Sequence, residues 1–118
     1  MKILNFKKTF RNKRIIVTGH TGFKGAWLTF WLKKLGANIL GVSYNFKTKP
    51  SLFKTLNLND GVKSINLDVR NLKKLGKVVN NFKPDFVFHL AAQSLVKKSY
   101  QDPVYTIETN SIGTLNIL

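Results

Sequence analysis

At 118 residues with 43% hydrophobic side chains, the chain has the length of one domain and enough apolar material for a core. It has no cysteine, which excludes disulfides and thiolate metal sites and suits a reducing compartment. Twenty Lys and Arg against five Asp and Glu set the formal charge at +15, a balance that attracts nucleic acid, anionic lipid or a phosphorylated ligand.

Residues 1–13 read as a frayed basic leader anchored by a few apolar side chains (Ile3, Leu4, Phe6, Phe10). Residues 14–19 form a short, continuously apolar strand of the kind buried on both faces. A turn carrying Gly19, Gly22 and Gly25 follows, and then a helix over 23–35 that is apolar on more than one face. Lys33 and Lys34 complement the C-terminal end of its dipole, and Gly36 stops it. Trp27 and Trp31, one turn apart, read as core or inter-subunit packing before a ligand platform. A second strand covers 37–42, and 43–60 is a long polar loop with Pro50 and one helical turn near 51–54. A third strand is expected over 63–69 and a helix over 71–82, weakened by Gly76. The strongest strand is 86–92, FVFHLAA, introduced by Pro84 and Asp85. Asp102 then caps a last helix with Pro103 at its first position, running through Tyr105, Ile107, Ile112, Leu115 and Ile117.

This order predicts an α/β fold, a Rossmann-type doubly wound parallel sheet with strands in the order 3-2-1-4, incomplete at four strands. The last helix reaches Leu118 on apolar residues without a cap, so a fragment of a longer protein is expected. The lysines are scattered over every segment, and the arginines (Arg11, Arg14, Arg70) form no cluster with aromatics, which favours a solvated basic surface over a nucleic-acid groove. No specific nucleic-acid partner is therefore expected. With no signal-peptide pattern and no apolar run of bilayer length, the expectation is a soluble, cytoplasmic protein without a membrane partner.

Strand, glycine turn and helix together are the device that holds a dinucleotide's pyrophosphate. The first glycine permits the tight turn, the second lets backbone approach the phosphates, and the third allows close helix–strand packing. The spacing here is G-x-x-G-x-x-G, one residue longer at the front than the simplest fingerprint, and a plain tight β–α turn is the competing reading.

The strings TGHTGFKGAWLTFWLKKLGA, KPSLF and PDFVFHLAAQSLVKKSYQDPVYTIETNSIGTLNIL carry a resemblance to a known family. Over nearly all of residues 14–118 the chain resembles the extended short-chain dehydrogenases/reductases, and within them the CDP-glucose 4,6-dehydratases. The glycine turn and HLAA are shared across the superfamily, whereas GHTGFKG, KPSLF and HLAAQSLVKKSYQDP are narrower. The resemblance implies a lyase of deoxysugar and polysaccharide biosynthesis. NAD takes a hydride from C4 of the sugar nucleotide, water leaves across C5 and C6, and the hydride returns to C6. It also implies a homo-oligomer when complete. Other sugar-nucleotide dehydratases or epimerases, and a short non-catalytic dinucleotide-binding module, are the alternatives.

On this resemblance, residues 14–118 are the N-terminal part of an NAD(P)-binding Rossmann domain whose remainder, with the substrate domain, lies elsewhere. Gly19, Thr21, Gly22, Phe23, Lys24 and Gly25 match the pyrophosphate turn, and His20 is placed either to bond a phosphate or ribose or to be a satisfied turn histidine. Asp68 and Val69 fall where the family contacts adenine. Leu90, Ala91 and Ala92 fall where the cofactor slides over backbone, and Gln93, Ser94 and Lys97 near the nicotinamide ribose or substrate. His89 reads as a packed strand residue, and Asn110 matches an asparagine that ties the last helix to strand 4. Two departures stand out. No acidic residue precedes Asp60, so the ribose grip after strand 2 falls to Ser43 or Asn45, with Lys47 able to favour a 2′-phosphate, and NAD over NADP rests on the resemblance. The family's catalytic Tyr-x-x-x-Lys is also missing, since neither Tyr100 nor Tyr105 has a lysine four residues on. No catalytic and no metal-binding residue is assigned.

Overall fold

A computed structural model of the chain describes residues 3–45 and 49–118. Strands β1 (Arg14–Thr18), β2 (Asn38–Ser43), β3 (Lys63–Asn66) and β4 (Phe86–His89) form one parallel sheet in the order β3-β2-β1-β4, as expected from the element order. Helices α1 (Ile3–Phe10), α2 (Phe23–Lys34), α3 (Leu52–Thr55), α4 (Leu72–Phe82), α5 (Val96–Gln101), α6 (Pro103–Ile107) and α7 (Gly113–Ile117) complete the fold, with a π-helical turn at Glu108–Ile112 between α6 and α7.

Alternation along β1 divides the core in two. Ile15 and Val17 pack with Ala26 and Leu32 of α2, Phe53 of α3 and Leu58, whereas Ile16 packs with Leu40, Val42, Leu67 and Leu75 of α4 on the other face. Each such side chain contributes roughly 1.5–3 kcal/mol by leaving water, so helices are held on both faces of the sheet. Gly36, at φ 84°, ends α2 and Asn71 caps α4 by accepting from the Lys74 N–H at 3.0 Å. Asp102 accepts from the Tyr105 N–H at 3.0 Å with Pro103 beside it, as its sequence suggests.

Five elements differ from the sequence reading. Residues 3–10, read as a leader, form α1, whose Phe6 stacks on Phe10 and meets Trp31, while Phe10 packs edge-on to Phe86 and Phe88. Strand β3 stops at Asn66, since Asp68 and Arg70 fold into a turn with the Arg70 N–H on Asp68 Oδ1 at 2.9 Å. Strand β4 stops at His89: the Leu90 N–H is shared between the Thr18 carbonyl and the Thr18 hydroxyl, and the Ala91 N–H goes to the hydroxyl instead of a ladder partner. Helix α5 and the π turn have no counterpart in the sequence reading. Lys47 lies outside the described residues.

Candidate functional site: the crevice at the strand ends

Open parallel sheets bind ligands beyond the C-terminal ends of their strands, where the order reverses. Here that point lies between β1 and β4, and both strand ends are built to admit something close. Gly19 leaves β1 at φ 71°, a left-handed conformation, and donates its N–H to the Val42 carbonyl at 2.7 Å. A Cβ on it would stand 2.8 Å from Ala91 N and from the Leu90 carbonyl, so the glycine turn and the start of the β4 loop are in direct backbone contact. Gly25 is buried, and a Cβ there would overlap the Gly19 carbonyl; it is the glycine that lets α2 close on β1.

Gly22 differs from both. It is the N-cap of α2, donates to Gly19 O at 3.0 Å, and a Cβ on it would meet only that carbonyl, at 3.4 Å. No side chain caps α2, so its first-turn N–H groups, those of Phe23 and Lys24 among them, are left for solvent or a ligand. A twelve-residue helix with an uncapped N-terminus behind an exposed glycine is a cradle that fits a pyrophosphate. Phe23 is 71% exposed, and Lys24 is exposed beside it.

His20 faces the other way. Its ring is fully buried, edge-on to Phe53, with Nδ1 2.9 Å from Ser43 Oγ and Nε2 2.8 Å from Ser64 Oγ. Burial pushes its pKa down to about 4 against a smaller opposing hydrogen bond with the Val42 backbone, so the ring is neutral. Gly41 on β2 supplies the space, since a Cβ there would overlap the imidazole. The structure therefore corrects the reading of His20 as a phosphate or ribose contact: its side chain joins the turn to β2 and β3 from within. Ser43 is corrected with it, since its hydroxyl faces His20 and receives the Thr21 N–H at 3.4 Å. Asn45 remains exposed, its N–H donating to Asn66 Oδ1 at 3.3 Å.

At the end of β3, Asp68 and Val69 sit beside a groove of about 420 Å3 lined by Asp68, Arg70, Asn71, Glu108 and Ile112. Arg70 holds both oxygens of Asp68, with its nearest contact at 2.7 Å, reaches Glu108 at 3.0 Å and stacks on the Tyr105 ring. Burial raises the pKa of Asp68, but the hydrogen bonds and charge of Arg70 outweigh it and hold the carboxylate below its ordinary value. Arg70 itself is held above the ordinary guanidinium value, first by its hydrogen bond to Asp68. Val69 is buried under Gly113, which has no room for a Cβ against it. Asn116 fixes this turn by donating to the carbonyls of Val69 and Arg70 at 2.9 and 3.0 Å.

Leu90, Ala91 and Ala92 follow β4 as a loop. The N–H groups of Leu90 and Ala91 both reach Thr18 Oγ1, at 3.0 and 3.1 Å. Asn110, in the π turn, accepts from the Gln93 N–H at 2.7 Å and donates to the Gln93 carbonyl at 3.0 Å, so it ties the π turn to the loop after β4 and not to the strand itself. The Gln93 side chain bonds Thr106 and the backbone of Leu95, whereas Ser94 and Lys97 are exposed. The glycine turn, the Leu90–Gln93 loop and the Asp68–Arg70 turn thus stand at the C-terminal ends of three strands of one sheet. Thr18, Arg70, Thr114 and Asn116 were missed by the sequence reading; the only local signal was Arg70, two residues past Asp68.

The sequence model of the family described as GDP-mannose 4,6 dehydratase matches residues 16–118. The chain belongs to that family. It is 46% identical over 112 residues to the CDP-glucose 4,6-dehydratase of Salmonella typhimurium, covering 95% of this chain and 31% of that protein. It is 32% identical over 118 residues to a GDP-mannose 4,6-dehydratase of Vibrio cholerae, covering 91% and 31%. Among solved structures, UDP-glucose 4-epimerase of Thermus thermophilus in complex with NAD superposes with a TM-score of 0.76 at 32% identity, covering 88% of this chain and 32% of that one. The UDP-glucose 4-epimerase of Thermotoga maritima with UDP-glucose gives 0.78 at 29%, with the same coverage. The chain spans about a third of the length of the curated relatives it matches. This member of the dehydratase family has no helix among the described residues that is long and apolar enough to cross a membrane.

Proposed function

We propose that this chain is the NAD-holding part of a CDP-glucose 4,6-dehydratase. The observation that carries the dinucleotide half of the proposal is the uncapped N-terminus of α2 behind Gly22, facing a loop whose backbone touches Gly19. In this reading Gly22 and the N–H groups of Phe23 and Lys24 receive the pyrophosphate, with Lys24 adding charge. Asp68 and Val69 border the adenine, and Ala91, Ala92 and Gln93 line the approach of the nicotinamide half. Bound NAD supplies a reversible hydride acceptor. The chain's own residues bind and orient it, and the proton-transfer pair Tyr-x-x-x-Lys does not occur within residues 1–118. Family membership supports a nucleotide-sugar dehydratase or epimerase; CDP-glucose as substrate is supported by the 46% identity to the Salmonella enzyme.

The test is turnover by the intact protein. With NAD present, CDP-glucose is expected to lose one water, seen by mass spectrometry, while GDP-mannose and UDP-glucose stay unchanged. Loss of water from GDP-mannose but not CDP-glucose would overturn the substrate assignment, and a change of epimer without loss of water would overturn the reaction. Failure of a dinucleotide to bind would overturn the cofactor assignment.

A further inference from the structure

Strand β4 ends at His89, whose two ring nitrogens face hydroxyls on two other elements. Nδ1 lies 2.6 Å from Thr18 Oγ1 at the end of β1, and Nε2 lies 3.2 Å from Thr114 Oγ1 on α7. Which nitrogen carries the proton follows from counting donors and acceptors. Thr18 is fully buried, and its hydroxyl oxygen already accepts from the N–H groups of Leu90 and Ala91, filling both lone pairs. Its single hydrogen then has one acceptor among the described residues, His89 Nδ1, which must be bare. At the other end Thr114 donates its hydroxyl hydrogen to the Asn110 carbonyl, 2.6 Å away, and is left to accept from His89 Nε2–H. Both ends independently require the same neutral tautomer.

The consequence falls on the loop after β4. Ala91 N stands where a Cβ on Gly19 would be 2.8 Å away, so the Leu90–Ala91 peptide and the glycine turn cannot move independently. The Leu90 N–H is shared with the Thr18 carbonyl at 3.1 Å, but the Ala91 N–H has only the Thr18 hydroxyl among the described residues. Two residues on, Asn110 holds both backbone groups of Gln93. The loop is therefore clamped at its start through His89 and at its end through Asn110, and Thr114 joins the two clamps. With the opposite tautomer, three donors would face one hydroxyl oxygen and the Thr18 hydrogen would be buried without an acceptor.

We propose that His89, as the neutral Nε2–H tautomer, is a positioning residue that aims the Thr18 hydroxyl and so fixes the Leu90–Ala91 peptide against the glycine turn. It touches no reacting group. Its bearing on function rests on the dinucleotide reading, because that peptide packs directly on the first glycine of the turn. Burial lowers the pKa of the ring, which keeps it neutral at pH 7, and no charged side chain is among its partners in the described residues.

The experiment uses the intact protein, labelled with 15N. Nitrogen–proton correlation spectra are expected to show His89 in a single Nε2–H form. Thr114→Val, at an exposed position, removes the acceptor of that proton; the Leu90 and Ala91 amides should then exchange with solvent about tenfold faster, and NAD affinity should fall by about the same factor. Thr18→Val should act more strongly and Thr18→Ser should restore both readouts; if Thr18→Val does not fold, Thr114→Val alone decides. A predominant Nδ1–H form, or unchanged exchange of both amides in Thr114→Val, would overturn the relay. Absence of NAD binding by the unmutated protein would instead sink the dinucleotide reading, leaving spectra and exchange rates to judge the relay by themselves.

Discussion

Gly22 and Gly25, three residues apart in one turn, should fail in opposite ways when enlarged. At Gly22 the backbone has φ −71° and ψ 168°, extended values that any residue adopts, and the nearest atom to an added Cβ is Gly19 O at 3.4 Å. Gly22→Val should therefore fold, with stability within about 1 kcal/mol of the parent. Its branched side chain would stand over the N-terminus of α2 and block the N–H groups of Phe23 and Lys24. Hydrogen bonds to charged groups are worth about 1.5–3 kcal/mol each, so losing two costs about 3–6 kcal/mol, or two to four powers of ten in affinity. Gly25→Val is the contrast: its Cβ would overlap Gly19 O, which forces backbone apart and costs more than the roughly 1–3 kcal/mol of ordinary overpacking. Thermal unfolding and calorimetric titration with NAD separate the two effects. Parental NAD affinity in Gly22→Val would refute the cradle, and equal destabilisation by both substitutions would refute the assignment of separate roles.

The neutral, buried His20 makes stability depend on pH. Its contribution is fully present above the unfolded value of 6.5 and is lost as pH falls towards about 4, by about 3 kcal/mol at 1.36 kcal/mol per unit; urea midpoints against pH should show the fall, and His20→Gln should flatten it. Arg70→Ala should let the Asp68 pKa return upward, so that stability declines less steeply with acid below about pH 4; an unchanged slope would show that Arg70 does not govern that carboxylate. The scattered lysines should give weak DNA binding that falls steeply with salt, and tight, sequence-selective binding at physiological salt would reinstate the nucleic-acid reading.

What the sequence made legible was local. The path from β1 through the glycine turn to α2 could be read because apolar runs, turn residues and helix signals lie side by side, and Asp102 with Pro103 marked a helix start for the same reason. Parallel order followed from alternating elements and right-handed crossovers. What stayed hidden depends on distant partners. No start signal in the sequence of residues 3–10 announces α1; Phe10 is anchored by Phe86 and Phe88, which arrive from β4. His20 reads as a turn residue until β2 brings Gly41 and Ser43 beside it and β3 brings Ser64. Thr18 reads as an ordinary strand residue until β4 brings two N–H groups and an imidazole to its hydroxyl. Arg70 reads as one basic residue among many, although its spacing from Asp68 suits a local clamp.

At the end of β2 the chain lacks the carboxylate that dinucleotide folds use to grip the adenosine ribose. Ser43 stands there, 5% exposed, with its hydroxyl on His20 Nδ1. Placing an acid at that position does not recreate the grip. The carboxylate of Ser43→Asp would meet a buried imidazole, and the pair would ionise together, raising the His20 pKa from about 4 and sealing the new charge inside the fold. Asn45 is two residues on, exposed and at φ 51°, a conformation that Asp also tolerates. A carboxylate there faces solvent, can accept from free ribose hydroxyls and repels a 2′-phosphate. Asn45→Asp is therefore expected to raise the preference for NAD over NADP by about tenfold, and Ser43→Asp to leave it unchanged while lowering stability. Paired titrations of each variant with both dinucleotides decide the matter. A gain in NAD preference from Ser43→Asp with His20 still neutral would mean that position 43 faces the ribose, and the buried His20–Ser43 contact would have to be abandoned.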